Sequence, residues 1–130
     1  MIVQPGFGQQ IEWAQTKDWT IYDVHDDNAF SYSLDTLIHV KSMPLSDSII
    51  HGYLKDGTAW PRDKSTLWMG LYVTTCRFED GSTHKIDISV YGGFFFEEQS
   101  KSYFEVSMKS RKQWLHYFHD CLAKLSSGDQ

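Results

Sequence analysis

Ile86, Ile88 and Val90 alternate with Lys85, Asp87 and Ser89 in the run from His84 to Tyr91. An Asp80-Gly81 pair stands just ahead of it, preceded by the apolar stretch Leu67 to Phe78. Alternation with period two reads as a strand, because successive side chains leave opposite faces of a pleated backbone. Asp-Gly between two such runs is hairpin chemistry, since glycine accepts the positive φ that the tight turn needs. A chain with this hairpin builds a sheet. The division of Ile and Val from Lys, Asp and Ser predicts that the sheet is covered on one side and wet on the other.

The remaining elements arrange themselves around that hairpin. Gly92-Gly93 bends the chain, Phe94-Phe95-Phe96 opens another strand, and Tyr103 to Met108 is placed to pair with it. Trp19 to Tyr22 is rich in strand formers, so residues 11–24 read as short extended segments. Phe30, Leu34, Leu37, Ile38 and Met43 approximate helical spacing, which predicts a helix over 28–42 with Asp26 or Asp27 as its N-cap and Pro44 at its end. Residues 48–54 read as strand or helix, with strand favoured, and 58–65 as a polar loop. The last element is a helix over 110–126. Ser110 and Gln113 match a capping box, and Trp114, Leu115, Phe118, Leu122 and Leu125 share a face, with Cys121 at its margin. The expected fold is α+β: a mostly antiparallel sheet of four to five strands with both helices on one face, in a single domain behind a loose arm at 1–10.

At 130 residues the chain is long enough for one real core. Five Trp, seven Tyr and eight Phe exceed what a small core usually needs, so some rings are expected at a surface that meets a partner. The net charge is −5. Residues 1–65 hold nine acids against five bases and residues 66–130 eight against seven, so the excess lies in the first half. Such a field repels phosphate backbones, which disfavours direct nucleic-acid binding, and it attracts a basic protein. The start, Met1 to Gly6, lacks the basic and apolar runs of a signal peptide. No apolar stretch approaches the roughly 20 residues that span a bilayer. A cytoplasmic location without membrane contact is the expectation.

Each candidate chemistry has a plainer reading. Cys76 and Cys121 do not make a disulfide scaffold and read as small buried side chains. His116 and His119 invite a metal reading, but their helical positions lie off the apolar face and no second ligand cluster stands nearby. Asp23, Asp26 and Asp27 lack the glycine and terminal glutamate of a calcium loop. There is no Gly-x-Ser-x-Gly elbow, and Gly6-Phe7-Gly8 and Gly92-Gly93 lack phosphate-loop spacing. His51, His84 and Asp87 are an acid/base set only if strands bring them together. No metal, cofactor or catalytic group is expected. Phe94-Phe95-Phe96 breaks the alternation, so either one ring is exposed beside Glu97-Glu98, or both faces of the sheet are covered, or the ring lies in a dimer seam.

The helix at Phe30–Met43, the hairpin of Leu67–Phe78 and His84–Tyr91, the following Gly92-Gly93 and the C-terminal helix form an order similar to that of some immunity proteins. These belong to contact-dependent growth-inhibition and other polymorphic toxin systems of bacteria. The resemblance is one of pattern over roughly 100 residues and carries no diagnostic motif. It implies a non-catalytic protein, monomer or homodimer, that binds a cognate toxin domain and occludes its active site. If that domain is a basic nuclease, Asp23, Asp26, Asp27, Glu97 and Glu98 are the expected acidic contacts, with Trp19, Tyr22 and Phe95 as aromatic anchors. Two other classes stay open: a small acidic secretion chaperone or adaptor, and a small-ligand-binding α+β domain or enzyme.

Overall fold

The computed structural model describes residues 11–25, 31–60 and 71–127. The expected arm at 1–10, the Asp26 and Asp27 caps and the start of the Leu67 strand lie outside the described residues. A 3-10 turn at Trp13–Gln15 leads into β1 (Lys17–His25), α1 (Leu34–Leu37), β2 (Ser42–Pro44), α2 (Asp47–Lys55) and β3 (Thr58–Trp60). Then come β4 (Leu71–Arg77), β5 (Thr83–Ser89), β6 (Phe94–Glu97), β7 (Ser102–Glu105), a 3-10 turn at Met108–Ser110, and α3 (Arg111–Ser127).

The α+β class holds, and the element count is larger than expected. Among the described residues seven strands form one sheet in the order β2-β1-β4-β5-β6-β7-β3. Every pairing is antiparallel. The extra strands are three-residue pieces, β2 and β3, at the two ends of that order. Their partners define them. Trp60, expected in a loop, falls in β3, whose Thr58–Trp60 pairs with Tyr103–Glu105.

Among the described residues three α-helices replace the expected two, and they do not share a face. The segment first read as strand is α2. Ser46 caps it by accepting the Ile49 amide, and Ile50, Tyr53 and Leu54 fall on its buried side at helical spacing. The helix expected over 28–42 is a single described turn, Leu34–Leu37, opened by a Ser33/Thr36 capping box. The chain then returns to the sheet edge, where the Asp23 amide donates to Lys41 O at 2.9 Å. The Ser110 capping box is also replaced: Ser110 closes the 3-10 turn that runs directly into α3.

α2 and α3 cover one face of the sheet. There Ile21, Tyr72, Ile86, Ile88, Phe95 and Phe104 meet Ile50, Tyr53, Trp114, Phe118 and Leu122. Phe95 sits at the middle of this packing, its ring centroid 4.7 Å from that of Trp114 and 5.2 Å from that of Trp19. Among the described residues most of the aromatic rings therefore fill the core rather than a surface, and Tyr91 is exposed. The buried indoles keep their hydrogen bonds: Trp114 Nε1 donates to Val90 O at 3.1 Å and Trp19 Nε1 to Thr16 Oγ1 at 3.1 Å.

The opposite face is covered as well, which corrects the expectation of a wet side. α1 packs there through Leu37 against Val24, Leu71 and Val73. Phe94, Phe96 and Tyr103 cluster on the same face, so the Phe triplet places one ring in the α2/α3 core and two on the other side. Lys85, Asp87 and Ser89 are buried among them at 6%, 0% and 0% exposure. Their polarity marks an internal charged cluster instead of water.

Candidate functional site

The antiparallel register gathers three chain segments at one end of the sheet. Lys17 lies opposite Arg77, Arg77 opposite Thr83, and Glu97 opposite Ser102, so the start of β1, the β4–β5 hairpin and the β6–β7 turn share that end. Gly81, with φ of 89°, makes the hairpin turn, and its amide donates to Phe78 O at 2.9 Å.

A continuous hydrogen-bonded network joins the two turns. Asp80 Oδ1 accepts from Ser82 N at 2.9 Å and from Ser82 Oγ at 2.5 Å. These bonds hold the Asp80 carboxyl below the usual carboxylate range. Ser82 Oγ is 2.8 Å from His84 Nε2, and His84 Nδ1 is 3.2 Å from Glu97 Oε2. The imidazole stacks on Phe78, with centroids 3.7 Å apart and planes at 11°. Glu97 in turn accepts from Gln99 N at 3.1 Å, Ser100 N at 2.8 Å and Ser100 Oγ at 2.5 Å. Ser82, the turn residue just ahead of β5, meets His84 two positions on, and the register between Ile86 and Glu97 supplies the acid. Sequence reasoning did not find this set, since Glu97 joins it only through the strand pairing.

Carboxylates also order the start of β1. Asp47, in the first turn of α2, accepts from Asp18 N at 2.9 Å and Trp19 N at 3.0 Å. Asp18 itself has φ of 54°, and its carboxylate lies 3.7 Å from Arg77 in an exposed pair. Glu79 and Asp80 are exposed at the hairpin tip. At the other end of the sheet, Lys109, Arg111 and Lys112 cluster where α3 begins. Arg111 lies over Gly93, whose φ is 77° and which leaves no room for a Cβ. Lys17, Arg77 and Lys101 are exposed at the first end beside Asp18, Glu79 and Asp80, so that end carries both signs, with adjacent carboxylates at the hairpin tip.

Behind this end of the sheet lies the buried cluster. Lys85 Nζ is 2.7 Å from Glu98 Oε2 and 3.3 Å from Asp87 Oδ1. Neither Asp87 oxygen receives a hydrogen bond of good geometry from a protein donor. Burial, together with the neighbouring Glu98 carboxylate, pushes the Asp87 acid up to about 9, while Glu98 is lowered. Burial thus favours the neutral, protonated form of Asp87.

The eight residues expected to meet a partner are not brought to one surface. Trp19 and Phe95 are core residues at 1% and 0% exposure, so they pack the sheet against α2 and α3 instead of anchoring a partner. Glu97 is buried in the network above. Tyr22 is half-buried, its hydroxyl 3.1 Å from Thr75 Oγ1. Asp23 accepts from Ser126 Oγ at 2.8 Å near the end of α3. Glu98 is partly exposed and bound to Lys85. Asp26 and Asp27 lie outside the described residues.

The other singled-out residues are also accounted for. His51 Nε2 is 2.6 Å from Thr16 O, while His84 and Asp87, an odd number of residues apart, sit on opposite faces, so these three do not meet. His119 Nδ1 is 2.6 Å from the Tyr72 hydroxyl, and His116 is exposed. Cys76 and Cys121 are free buried thiols, and burial pushes the Cys76 thiol up. Among the described residues no helix is long and apolar enough to cross a membrane. No protein-family model matches the chain, and the search of curated proteins and of solved structures gives no match either.

Proposed function

We propose that this chain is an immunity-type protein that binds a cognate toxin domain with a basic surface and blocks its active site. The observation that carries the reading is the hairpin tip, where the exposed carboxylates of Glu79 and Asp80 are tied to the β6–β7 turn through Ser82, His84, Glu97 and Ser100. Two turns fixed to one another form a surface that loses little conformational freedom on binding, which favours affinity. The exposed carboxylates steer a basic partner and speed its encounter. Neutralisation by occlusion requires no chemistry on the partner.

The relevant contacts are accordingly Asp18, Glu79, Asp80 and Glu98, with Tyr22 and Asp23 further along β1. Protection assays test this. The chain is co-expressed with the toxic domain encoded beside it, and survival is scored for wild type, for Glu79→Lys with Asp80→Lys, and for Lys109→Glu with Lys112→Glu. Loss of protection in the first variant alone supports the reading. Equal protection by all three, or none by wild type, contradicts it.

A further inference from the structure

Ser82, His84 and Glu97 stand in the order that a nucleophile, a base and an orienting acid take in acyl-transfer sites. Three observations make the order more than a chance chain of hydrogen bonds. The imidazole is fixed in plane by Phe78. Glu97 is buried at 2% exposure and cannot swing away, since Gln99 and Ser100 donate to both its oxygens. A carboxylate held in this way accepts a hydrogen bond from the imidazole Nδ1–H, which leaves the Nε2 lone pair facing Ser82 Oγ at 2.8 Å. Ser82 is half-buried on the outer turn of a hairpin, where a small reagent can reach it.

We propose that Ser82 is a nucleophile, activated by His84, that accepts the acyl group of small esters bearing a good leaving group. The substrate class follows from the amides around it. Gly81 N is spent on Phe78 O and Ser82 N on Asp80 Oδ1, both at 2.9 Å, so these two turn amides do not stabilise a developing oxyanion. Amide cleavage needs that stabilisation. An aryl ester, whose leaving group is already stable as an anion, needs it far less.

In the first half, Ser82 Oγ bonds to the carbonyl carbon while its proton passes to His84 Nε2. The bond from that carbon to the phenolic oxygen breaks, and the phenolate takes the proton from His84. In the second half, a water oxygen bonds to the acyl carbon and gives a proton to His84, the bond from that carbon to Ser82 Oγ breaks, and the proton returns from His84 to Oγ. One ester and one water become one acid and one phenol.

Asp80 acts as a positioning residue with a brake built in. Its Oδ1, 2.5 Å from Ser82 Oγ, competes with His84 for the single hydroxyl proton and places negative charge beside the forming bond. Asp80→Asn keeps an oxygen for the Ser82 amide and removes the charge.

This chemistry does not rest on partner binding, and its test is separate. The full chain is treated with p-nitrophenyl acetate and with an alkyl fluorophosphonate, and the adduct is located by peptide mass. The expected results are a single adduct on Ser82, a rate lower by about 100-fold in His84→Ala, and a faster rate in Asp80→Asn. Urea midpoints close to wild type establish that both variants are folded. No adduct on Ser82 overturns the proposal. An adduct that forms as fast in folded His84→Ala overturns it as well, because that is the behaviour of an ordinary surface hydroxyl.

Discussion

The Asp87 carboxyl lies 3.3 Å from the Lys85 ammonium on a face of the sheet where neither group reaches bulk water. The Lys85 charge is shared with Glu98 at 2.7 Å, so two carboxyls meet one cation. One proton on Asp87 balances the set.

That proton makes stability depend on pH. The Asp87 acid is raised to about 9 in the folded chain, above its unfolded value of 3.8. The folded state therefore holds a proton that the unfolded state releases, and the stability this gives is fully present below about pH 4 and lost as pH rises toward 9. Glu98 is lowered and works in the opposite sense, costing stability as pH falls below its unfolded value of 4.5. The pair is most favourable near pH 4 to 5. Urea titrations are expected to show wild type less stable at pH 8 than at pH 5 by about 1–3 kcal/mol. Asp87→Asn, which mimics the protonated acid, is expected to flatten that slope. A slope unchanged in Asp87→Asn assigns the proton elsewhere.

Removal of the Glu97 carboxylate breaks the brace between the two turns. Glu97→Ala leaves Ser100 N, Gln99 N and His84 without their acceptor, at a cost of about 2–3 kcal/mol in the urea midpoint. Amide exchange should quicken at residues 98–101 and at the 79–82 tip together. Quickening at 98–101 alone means that the turns are not coupled.

Core aromatics are expected to report on folding, not on partner choice. Phe95→Ala removes the ring between Trp19 and Trp114 and is expected to cost about 3–5 kcal/mol. Any loss of partner binding should scale with the unfolded fraction measured by circular dichroism. Lost binding by a fully folded Phe95→Ala chain returns the ring to an interface role.

The elements legible in the sequence are those whose signal is local. Asp80-Gly81 sets the β4–β5 hairpin by itself, and Trp114, Phe118 and Leu122 set α3 by their spacing. Residues 48–54, ambiguous between strand and helix as a short apolar run, are helical because Ser46 caps them and Ile50, Tyr53 and Leu54 share one buried side. β2 and β3 have three residues each, and only their partners make them strands. The alternation of Lys85 and Asp87 with Ile86 and Ile88 located two faces correctly. It did not show that the polar face is buried, because Glu98, which helps to neutralise it, comes from the β6–β7 turn. The candidate site was hidden for the same reason: Ser82 and His84 are neighbours in sequence, and Glu97 reaches them through pairing.

The proposed docking surface is the sheet end that holds the hairpin tip and the β6–β7 turn. Hydrogen–deuterium exchange of the chain, free and saturated with the toxic domain proposed as its partner, tests this directly. The account predicts slowed exchange at residues 78–84 and 97–102, with 108–116 unchanged. Protection confined to 108–116, with the hairpin and the β6–β7 turn exchanging as in the free chain, would contradict it.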